Sequence, residues 1–260
     1  MSTFLFDRII FGPVKSRRLG VSLGVNLLPA KRKVCNFNCI YCECGWSDYN
    51  TIEGGQLPRR EEIASELEAR LTEMKVRGDK PDVITFAGNG EPTLHPSFNA
   101  IIDDTIRIRN NTFPGARIAV LSNSSAITKP SVREALLRVD MNILKLDSVF
   151  DETICNHNQP RLKIDAAELI ANLISFNGHL IIQTLFLRGL YKGKLIDNTT
   201  PAELEGWLAA IEKIKPSEVM IYTIARDTPV GGELRKVPLA ELDEIAARVR
   251  KLGIKTQVSG

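Results

Sequence analysis

The sequence predicts an α/β protein built around a mainly parallel sheet. Two observations support this fold class. Apolar, strand-sized runs alternate with amphipathic helices about six times along the chain. The runs are also apolar throughout, as expected for parallel strands that are covered on both faces. Right-handed crossovers join such units into either an open doubly wound sheet or a partial barrel, and periodicity does not distinguish the two.

Each predicted helix follows from apolar spacing together with signals at its ends. The helix over 59–77 begins next to a proline, has an acidic first turn and ends at Gly78. The helix over 165–176 is closed by Asn177 and Gly178. Further helices are predicted over 97–109, 130–139, 201–214 and 239–252.

The predicted strands are the short apolar runs between these helices. They cover 22–28, 83–87, 118–121, 142–146, 180–187, 218–224 and 254–258. Ligand sites of such folds lie at the carboxyl ends of the strands, so polar residues that follow a strand are candidates. These residues are 88–93, 122–125, 145–148, 183–184 and 223–228.

Length and composition narrow the class of protein. The 260 residues suit one domain, with an irregular N-terminal segment over 1–57 and repeated βα units over 58–260. The chain is 43% hydrophobic and 25% charged, which excludes a disordered chain and a collagen-like repeat. No apolar stretch reaches roughly 18 residues, so no membrane span is expected. The N-terminus lacks the features of a signal peptide, so a cytoplasmic protein is expected.

The cysteines indicate a metal site. Four of the five, Cys35, Cys39, Cys42 and Cys44, fall within ten residues, and the fifth is Cys155. An odd count argues against a disulfide framework. Zinc takes four ligands, usually as two pairs, whereas three cysteines in one loop suit a [4Fe–4S] cluster with one open iron. We expect Cys44 to be a spectator and Cys155 to be a buried, inert thiol.

The spacing Cys35-x3-Cys39-x2-Cys42, with Tyr41 just before the third cysteine, resembles the radical S-adenosylmethionine (SAM) superfamily. The resemblance covers nearly the whole chain. It implies a partial (βα)6 TIM-like barrel in which these cysteines, in the loop 35–42, ligate a [4Fe–4S] cluster. It also implies SAM as a cofactor on the open iron. In that family an electron from the cluster cleaves SAM to a 5′-deoxyadenosyl radical, which abstracts hydrogen from the substrate.

The strand ends carry further matches to this superfamily. The run Gly88-Asn89-Gly90-Glu91 resembles its Gly-Gly-Glu-Pro motif, with Asn89 in place of the first glycine of the pair. Glycines at a strand end permit close approach of the backbone to a ligand. The resemblance implies that Gly90 and Glu91 hold the ammonium group of SAM.

Four more residues are candidates for SAM contacts. The resemblance implies that Ser122, Asn123 and Gln183 contact the ribose or the carboxylate, and that Tyr41 contacts the adenine or its loop. The alternative for a serine or asparagine after a strand is a helix N-cap.

Candidate substrate contacts follow from strand alternation and from charge. Lys145 and Asp147 alternate on one strand and face the same side, which costs energy unless they are paired or functional. Residues 8–42 contain no acidic side chain, so the basic run there either forms a solvated face, meets phosphates, or offsets an anionic cofactor. We favour the last role for Arg17 and Arg18. The substrate candidates are Arg17, Arg18, Asp147, Arg188 and Arg226.

The substrate class stays open at this stage. The segments 11–26, 88–96 and 222–229 resemble an uncharacterised subgroup of Fe–S oxidoreductases related to the wyosine-base-forming tRNA enzymes. This resemblance implies an RNA base or a nucleotide-like substrate, and an electron donor such as flavodoxin or ferredoxin. One alternative is an enzyme that modifies or activates a protein or peptide, although Val34 stands where glycyl-radical activases have glycine. The other is a non-enzymatic Fe–S or zinc-binding module with a fourth thiolate ligand.

Overall fold

A computed structural model describes residues 4–16, 18–47 and 56–260. Within these ranges the chain forms seven α-helices and eleven β-strands. The strands are β1 (Ile10–Ser16), β2 (Gly20–Val25), β3 (Val83–Phe86), β4 (Arg117–Ser122), β5 (Met141–Lys145), β6 (Ile181–Leu185), β7 (Leu187–Tyr191), β8 (Lys194–Asp197), β9 (Glu218–Tyr222), β10 (Leu234–Lys236) and β11 (Lys255–Ser259). The helices are α1 (Arg60–Arg77), α2 (Phe98–Thr112), α3 (Pro130–Arg138), α4 (Asp151–Asn158), α5 (Ala166–Ile174), α6 (Pro201–Ile214) and α7 (Leu239–Arg250).

The sequence signals at helix ends act as expected. Gly78 ends α1 in the left-handed conformation, with φ of 78°, and its amide donates to the Lys75 carbonyl. Thr200 caps α6, because its side chain accepts a hydrogen bond from the Glu203 amide. The buried stripe of α1 is Ile63, Leu67, Leu71 and Met74. These helices therefore lie within one or two residues of their predicted bounds.

Eight strands of the described chain form one sheet, in the order β1-β2-β3-β4-β5-β6-β9-β11. Neighbours pair in parallel from β2 onward, and β1 pairs antiparallel with β2. The order along the sheet follows the order along the chain, with no reversal. Right-handed crossovers then place the connecting helices on one face, whereas a doubly wound sheet needs a reversal. The sheet curls with its other face inward, and the predicted partial (βα)6 barrel is confirmed.

The two faces of the sheet bury different side chains. Outward residues such as Ile84, Val120 and Leu144 join the large core beneath the helices. Inward residues at the amino ends of the strands form a smaller apolar layer that closes the barrel floor: Leu19, Val83, Ala119, Met141, Ile143, Ile181 and Met220. The inward side chains nearer the carboxyl ends of the strands are not part of this layer and can form the functional site.

Three features were not predicted. β1 lies in the segment expected to be irregular. The predicted strand 180–187 is divided at Phe186, and β7 belongs to a second sheet of the described chain, in the order β10-β7-β8. Helix α4 follows β5, and it buries only Ile154, His157 and Asn158. These elements are short and lack a clear apolar period, which is the signal that sequence analysis relies on.

Among the described residues, no helix is long and apolar enough to cross a membrane.

Candidate active site

The three predicted cluster cysteines lie in one loop beyond the carboxyl end of β2. Cys35 and Cys39 are buried, and Cys42 is partly buried. They pack in one apolar cluster with the rings of Phe37 and Tyr41. The fold therefore gathers three thiols at the mouth of the barrel, largely away from water.

Backbone hydrogen bonds hold this loop on two sides. On one side the Val34 amide donates to the Asn89 carbonyl (2.8 Å), and the Val34 carbonyl accepts from the Glu91 amide (3.0 Å). On the other side the Ile40 amide donates to the His157 carbonyl (2.9 Å). The loop is thus fixed to the end of β3 and to α4, which lie far from it in the sequence.

Lys33 supplies a buried positive charge beside the thiols. Its side chain is 4% exposed and donates to the Gly45 carbonyl (2.9 Å). Burial lowers the pKa of Lys33, but the negative charges of Cys42 and Cys35 outweigh burial and raise it. Burial raises the pKa of Cys35 to about 12, and Lys33 opposes that rise. A buried cation here stabilises thiolates and the anionic cluster that they would ligate.

The remaining cysteines differ from expectation. The Cys44 thiol donates to the Gly88 carbonyl (3.4 Å) and forms a hydrogen bond with Cys42. This hydrogen bond lowers the pKa of Cys42 to about 5, although burial raises it. Cys44 therefore supports a predicted ligand directly. The prediction of a buried Cys155 is wrong, because this thiol is exposed on α4.

The donor set fits a cluster of several irons better than it fits one metal ion. In the part of the chain that the structure describes, no three His, Cys, Asp or Glu side chains are close enough to hold a single ion. Zinc needs four ligands within about 2.0–2.3 Å of one centre. A cube of four irons and four sulfides is larger than one ion, so its ligands stand further apart. Cys35, Cys39 and Cys42 would hold such a cluster.

The run 88–91 forms a close backbone bridge to the cysteine loop. Val34 and Gly90 pair as an isolated parallel bridge. Gly90 has φ of +136°, and a Cβ atom there would lie 1.9 Å from the Val34 carbonyl oxygen. Gly88 has φ of +152°, and a Cβ atom there would lie 2.4 Å from Oδ1 of Asn26. Both positions require glycine, because loop and strand approach more closely than a side chain permits.

Asn89, which replaces a motif glycine, has a structural role of its own. It is fully buried. Its side-chain amide donates to the carbonyls of Phe6 and Pro29, both at 2.8 Å, and its Oδ1 accepts from the Phe6 amide (2.8 Å). These bonds tie the N-terminal segment to the end of β3.

The Glu91 carboxylate joins the ends of β3 and β4. It is 2% exposed. Oε1 accepts from Ser122 Oγ (2.9 Å), from the Thr93 amide (3.1 Å) and from Thr93 Oγ1 (2.5 Å), and Oε2 accepts from the Asn123 amide (2.6 Å). Burial raises the pKa of Glu91, while these hydrogen bonds lower it. Three residues that we predicted to serve SAM thus contact one another, and two of them fix the third.

Asn123 also reaches the cysteine loop. Its Nδ2 donates to Asn36 Oδ1 (2.8 Å) and lies 3.6 Å from Cys35 Sγ. The alternative of a helix N-cap does not apply here, because α3 is capped at Lys129. Asn123 therefore connects the Glu91 carboxylate to the first predicted ligand.

The Tyr41 hydroxyl lies in a buried charged network. It donates to Asp147 Oδ2 and accepts from Lys145 Nζ (3.0 Å) and from Asn158 Nδ2 (2.9 Å). Asn158 also donates to Asp147 Oδ2 (2.8 Å) and contacts Cys39 Sγ (3.5 Å). Burial lowers the pKa of Lys145, but Asp147 outweighs it and raises the pKa. The predicted common orientation of Lys145 and Asp147 is confirmed, and the pair fixes Tyr41 beside the cysteines.

His157 makes the stability of this region sensitive to acid. It is 1% exposed, and its Nδ1 has no hydrogen-bond partner among the described residues. Burial lowers the pKa of His157 to about 4, although Asp147 and Asp197 act to raise it. In the unfolded chain the ordinary value is about 6.5, so unfolding takes up a proton below that pH. The stability that neutral His157 contributes is therefore complete above about pH 6.5 and is lost as the pH falls towards 4.

We expect the free energy of unfolding to fall by about 2 kcal/mol through His157 between pH 7 and pH 5. Urea unfolding at the two pH values measures this loss. Between pH 7 and pH 5, His157→Gln should lose about 2 kcal/mol less stability than the wild type loses. His179→Gln, which changes an exposed histidine, should lose as much as the wild type. An equal pH dependence in His157→Gln would contradict the assignment.

The curled sheet encloses a cavity of about 800 Å³. Its walls are inward side chains of successive strands, namely Ser22, Thr85, Leu121, Ile143, Gln183 and Met220. A smaller cavity of about 250 Å³ reaches Tyr41 and Cys42. Leu121, Gln183 and Arg18 line both cavities. The barrel interior is therefore contiguous with the position of the predicted cluster.

The other predicted substrate contacts are distributed unevenly. Arg226 lines both cavities but forms an ion pair with Glu43 (2.6 Å). Arg188 lies on β7, lines neither cavity and forms an ion pair with Glu241. Arg17 lies outside the described residues. A role for these three arginines in substrate binding stays a prediction.

Comparison with known proteins agrees with this geometry. Residues 33–190 match the model of the radical SAM superfamily. A UPF0026 protein of Helicobacter pylori is 31% identical over 242 residues, which cover 91% of this chain and 71% of that protein. A UPF0026 protein of Methanocaldococcus jannaschii is 34% identical over 183 residues (69% and 54%), and a protein named GTPase Obg of Brachyspira hyodysenteriae is 31% identical over 223 residues (84% and 30%). The chain belongs to the radical SAM superfamily and, within it, to the UPF0026 proteins. It spans about half or less of the length of the last two relatives.

Solved structures show the same fold. A radical SAM methyltransferase from Sphaerobacter thermophilus has a TM-score of 0.64 at 14% identity, covering 92% of this chain and 65% of that one. Streptococcus suis SuiB bound to its precursor peptide SuiA has a TM-score of 0.62 at 14% identity (91% and 48%). Archaeal TYW1 has a TM-score of 0.51 at 13% identity (88% and 71%). The superfamily uses a [4Fe–4S] cluster and SAM.

Sequence analysis missed three residues of the site. Lys33 stands in a basic run, and its residue type does not distinguish it from the neighbouring Lys31 and Arg32. Asn158 lies on α4, a helix without an apolar stripe. Asn36 is inside the cysteine loop, but its partner Asn123 is 87 residues away. The position of Lys33, two residues before Cys35, was the one available signal.

Proposed function

We propose that this chain cleaves SAM, with a [4Fe–4S] cluster on Cys35, Cys39 and Cys42 and with SAM at the ends of β3 and β4. One observation carries the proposal: the cysteine loop and the run 88–91 form a single backbone-bonded unit. When bound, the cluster and SAM supply a 5′-deoxyadenosyl radical that abstracts hydrogen from a substrate.

The chain's own residues then hold SAM in place. Glu91 is a buried carboxylate fixed by four donor groups, and it accepts the ammonium of SAM. Gly90 lets the cysteine loop approach the same point, because a side chain there would clash with the Val34 carbonyl. Ser122 and Asn123 orient Glu91 and lie near enough to meet the carboxylate or the ribose. Gln183 lines both cavities, where it meets the remainder of the adenosyl group.

The Tyr41 ring is also held in a fixed orientation beside the predicted cluster ligands. Its hydroxyl is held by Asp147, Lys145 and Asn158, so its ring cannot rotate away from the smaller cavity. A fixed ring beside Cys42 gives the adenine a surface on which to pack.

The substrate in this proposal is an RNA base or a nucleotide-like molecule, and flavodoxin or ferredoxin donates the electron. Support comes from the resemblance of segments 11–26, 88–96 and 222–229 to relatives of the wyosine-base-forming enzymes. The fold likeness to archaeal TYW1, at 13% identity, adds nothing on substrate. A protein or peptide substrate is the second candidate, since SuiB, with a similar fold, was crystallised with a peptide. A simple metal-binding module is disfavoured, because the described residues offer no four-ligand site.

The test is anaerobic reconstitution with iron and sulfide, followed by reduction with dithionite in the presence of SAM. We expect release of 5′-deoxyadenosine. A protein that takes up zinc, or one that assembles four irons and never cleaves SAM, would refute the proposal. Deuterated RNA and peptide pools then decide the substrate class, according to which pool transfers its label to 5′-deoxyadenosine.

A further inference from the structure

Arg18 carries a positive charge into the barrel from its amino end. The residue lies two positions before β2, at the amino end of that strand, whereas the cysteine loop follows its carboxyl end. Its side chain nevertheless lines both the 800 Å³ cavity and the smaller cavity beside Cys42. Its guanidinium carbon lies 4.6 Å from the centre of the Tyr222 ring. The side chain therefore extends inward and is held flat on an aromatic surface.

One nitrogen of the Arg18 guanidinium makes no hydrogen bond within the part of the chain that the structure describes. Its Nη1 is buried and has no hydrogen-bond partner among the described residues. The other cavity arginine, Arg226, differs, because Glu43 already neutralises it. A buried donor without a partner is costly, and the cost is recovered when an acceptor arrives. The matching acceptor for a planar guanidinium is an oxyanion, which it binds through two parallel hydrogen bonds.

The carboxylate of SAM is not this anion. In an α-amino acid the ammonium and the carboxylate share one carbon, so the SAM carboxylate stays near Glu91. Arg18 also lines an outer cavity with Asp82 and Arg117, and none of the three cavities includes Glu91, Ser122 or Asn123 in its wall. Arg18 instead faces Tyr222 and Gln183, on strands β9 and β6. This placement departs from the cofactor-balancing role that the sequence suggested.

We infer that Arg18 binds an oxyanion of the substrate, a carboxylate or a phosphate, inside the barrel. The inference rests on the proposed function only for calling the ligand a substrate. Much of the remaining wall is apolar, with Leu121, Ile143 and Met220 facing the same space, and it also includes the charged residues Lys15, Glu43, Arg226 and Asp227. The site therefore suits a small molecule, or one nucleotide, that has an anionic end and an apolar or aromatic body.

Binding of two anionic probes tests this inference. Benzoate and phenyl phosphate are titrated separately into anaerobically reconstituted protein with SAM present, and phenol serves as the neutral counterpart. The variants are R18Q, R18K and R248Q, the last being an exposed arginine on α7 that lines none of the cavities around Arg18. Iron content, circular dichroism and the Kd for SAM are measured for each variant, so that loss of the anion site is distinguished from loss of the fold or of SAM binding.

We expect the wild type to bind at least one anionic probe and to bind phenol more weakly. R18Q should weaken probe binding at least about tenfold with an unchanged Kd for SAM, and R248Q should bind as the wild type does. R18K, which keeps the charge but loses the planar pair of donors, should lie between them, and it decides the test if R18Q does not fold. Preference for benzoate or for phenyl phosphate identifies the anion as carboxylate or phosphate.

Two results would overturn the inference. One is a wild type that binds neither probe. The other is an R18Q variant that binds the probes normally or loses SAM binding instead. Failure of the proposed function is a separate outcome, because it appears as absent 5′-deoxyadenosine in the wild type whatever the probes do.

Discussion

Replacing Cys39 with alanine is expected to abolish cluster assembly and SAM cleavage together. The proposed cluster has three protein ligands, so loss of one leaves two irons without a thiolate. Cys39 is also the most enclosed of the three, with Asn158 against its sulfur. Cys155 is exposed on α4 and lies outside the apolar cluster that holds the three predicted ligands. Iron and sulfide content, and the electron paramagnetic resonance spectrum after reduction, measure the loss.

Two cysteine variants serve as controls for this experiment. Cys155→Ala should retain the full cluster, because its thiol is exposed. Cys44→Ala should also retain four irons, since Cys44 is not a predicted ligand and contacts the site through hydrogen bonds with Cys42 and the Gly88 carbonyl. A Cys39→Ala protein that kept four irons and cleaved SAM would refute the ligand assignment. Loss of the cluster in Cys44→Ala would instead support the four-thiolate module.

The second large effect is expected from Gly90→Ala. The new methyl group would lie 1.9 Å from the Val34 carbonyl oxygen, which is backbone and cannot rotate away. The φ of +136° adds strain for any residue with a side chain. We expect the free energy of unfolding to fall by about 2–5 kcal/mol. The bridge between the cysteine loop and β3 should open, so SAM binding to the reconstituted protein should weaken as well.

Urea unfolding and SAM titration measure the two effects separately. The matched control is Gly115→Ala, where no heavy atom lies within 4 Å of the added Cβ and φ is not in the left-handed region. We expect that control to change stability by no more than about 0.5 kcal/mol. Stability and SAM affinity at wild-type levels in Gly90→Ala would show that the close approach of loop and strand is not required.

The sequence alone was enough for the elements that depend on local pattern. Helix α6 has the predicted bounds, because Thr200, Pro201 and an apolar stripe act within one segment. The cysteine loop could also be predicted from the sequence, because its three predicted ligands lie within eight residues of one another. Inward orientation of Lys145 and Asp147 followed from strand alternation, which is also a local rule.

Only the tertiary structure decided which side chains of these elements contact one another. Tyr41 and Asp147 are separated by 106 positions, and Asn36 and Asn123 by 87, so no periodicity connects them. Whether the sheet closes as a barrel or opens as a doubly wound sheet depends on strand order, which single segments do not encode. The lack of a hydrogen-bond partner for Nη1 of Arg18 among the described residues is likewise a property of the assembled barrel, since it depends on which side chains from distant strands reach the guanidinium. Spacing along the chain determined which ligand and binding groups are available. The curvature and register of the sheet decided which of those groups contact one another.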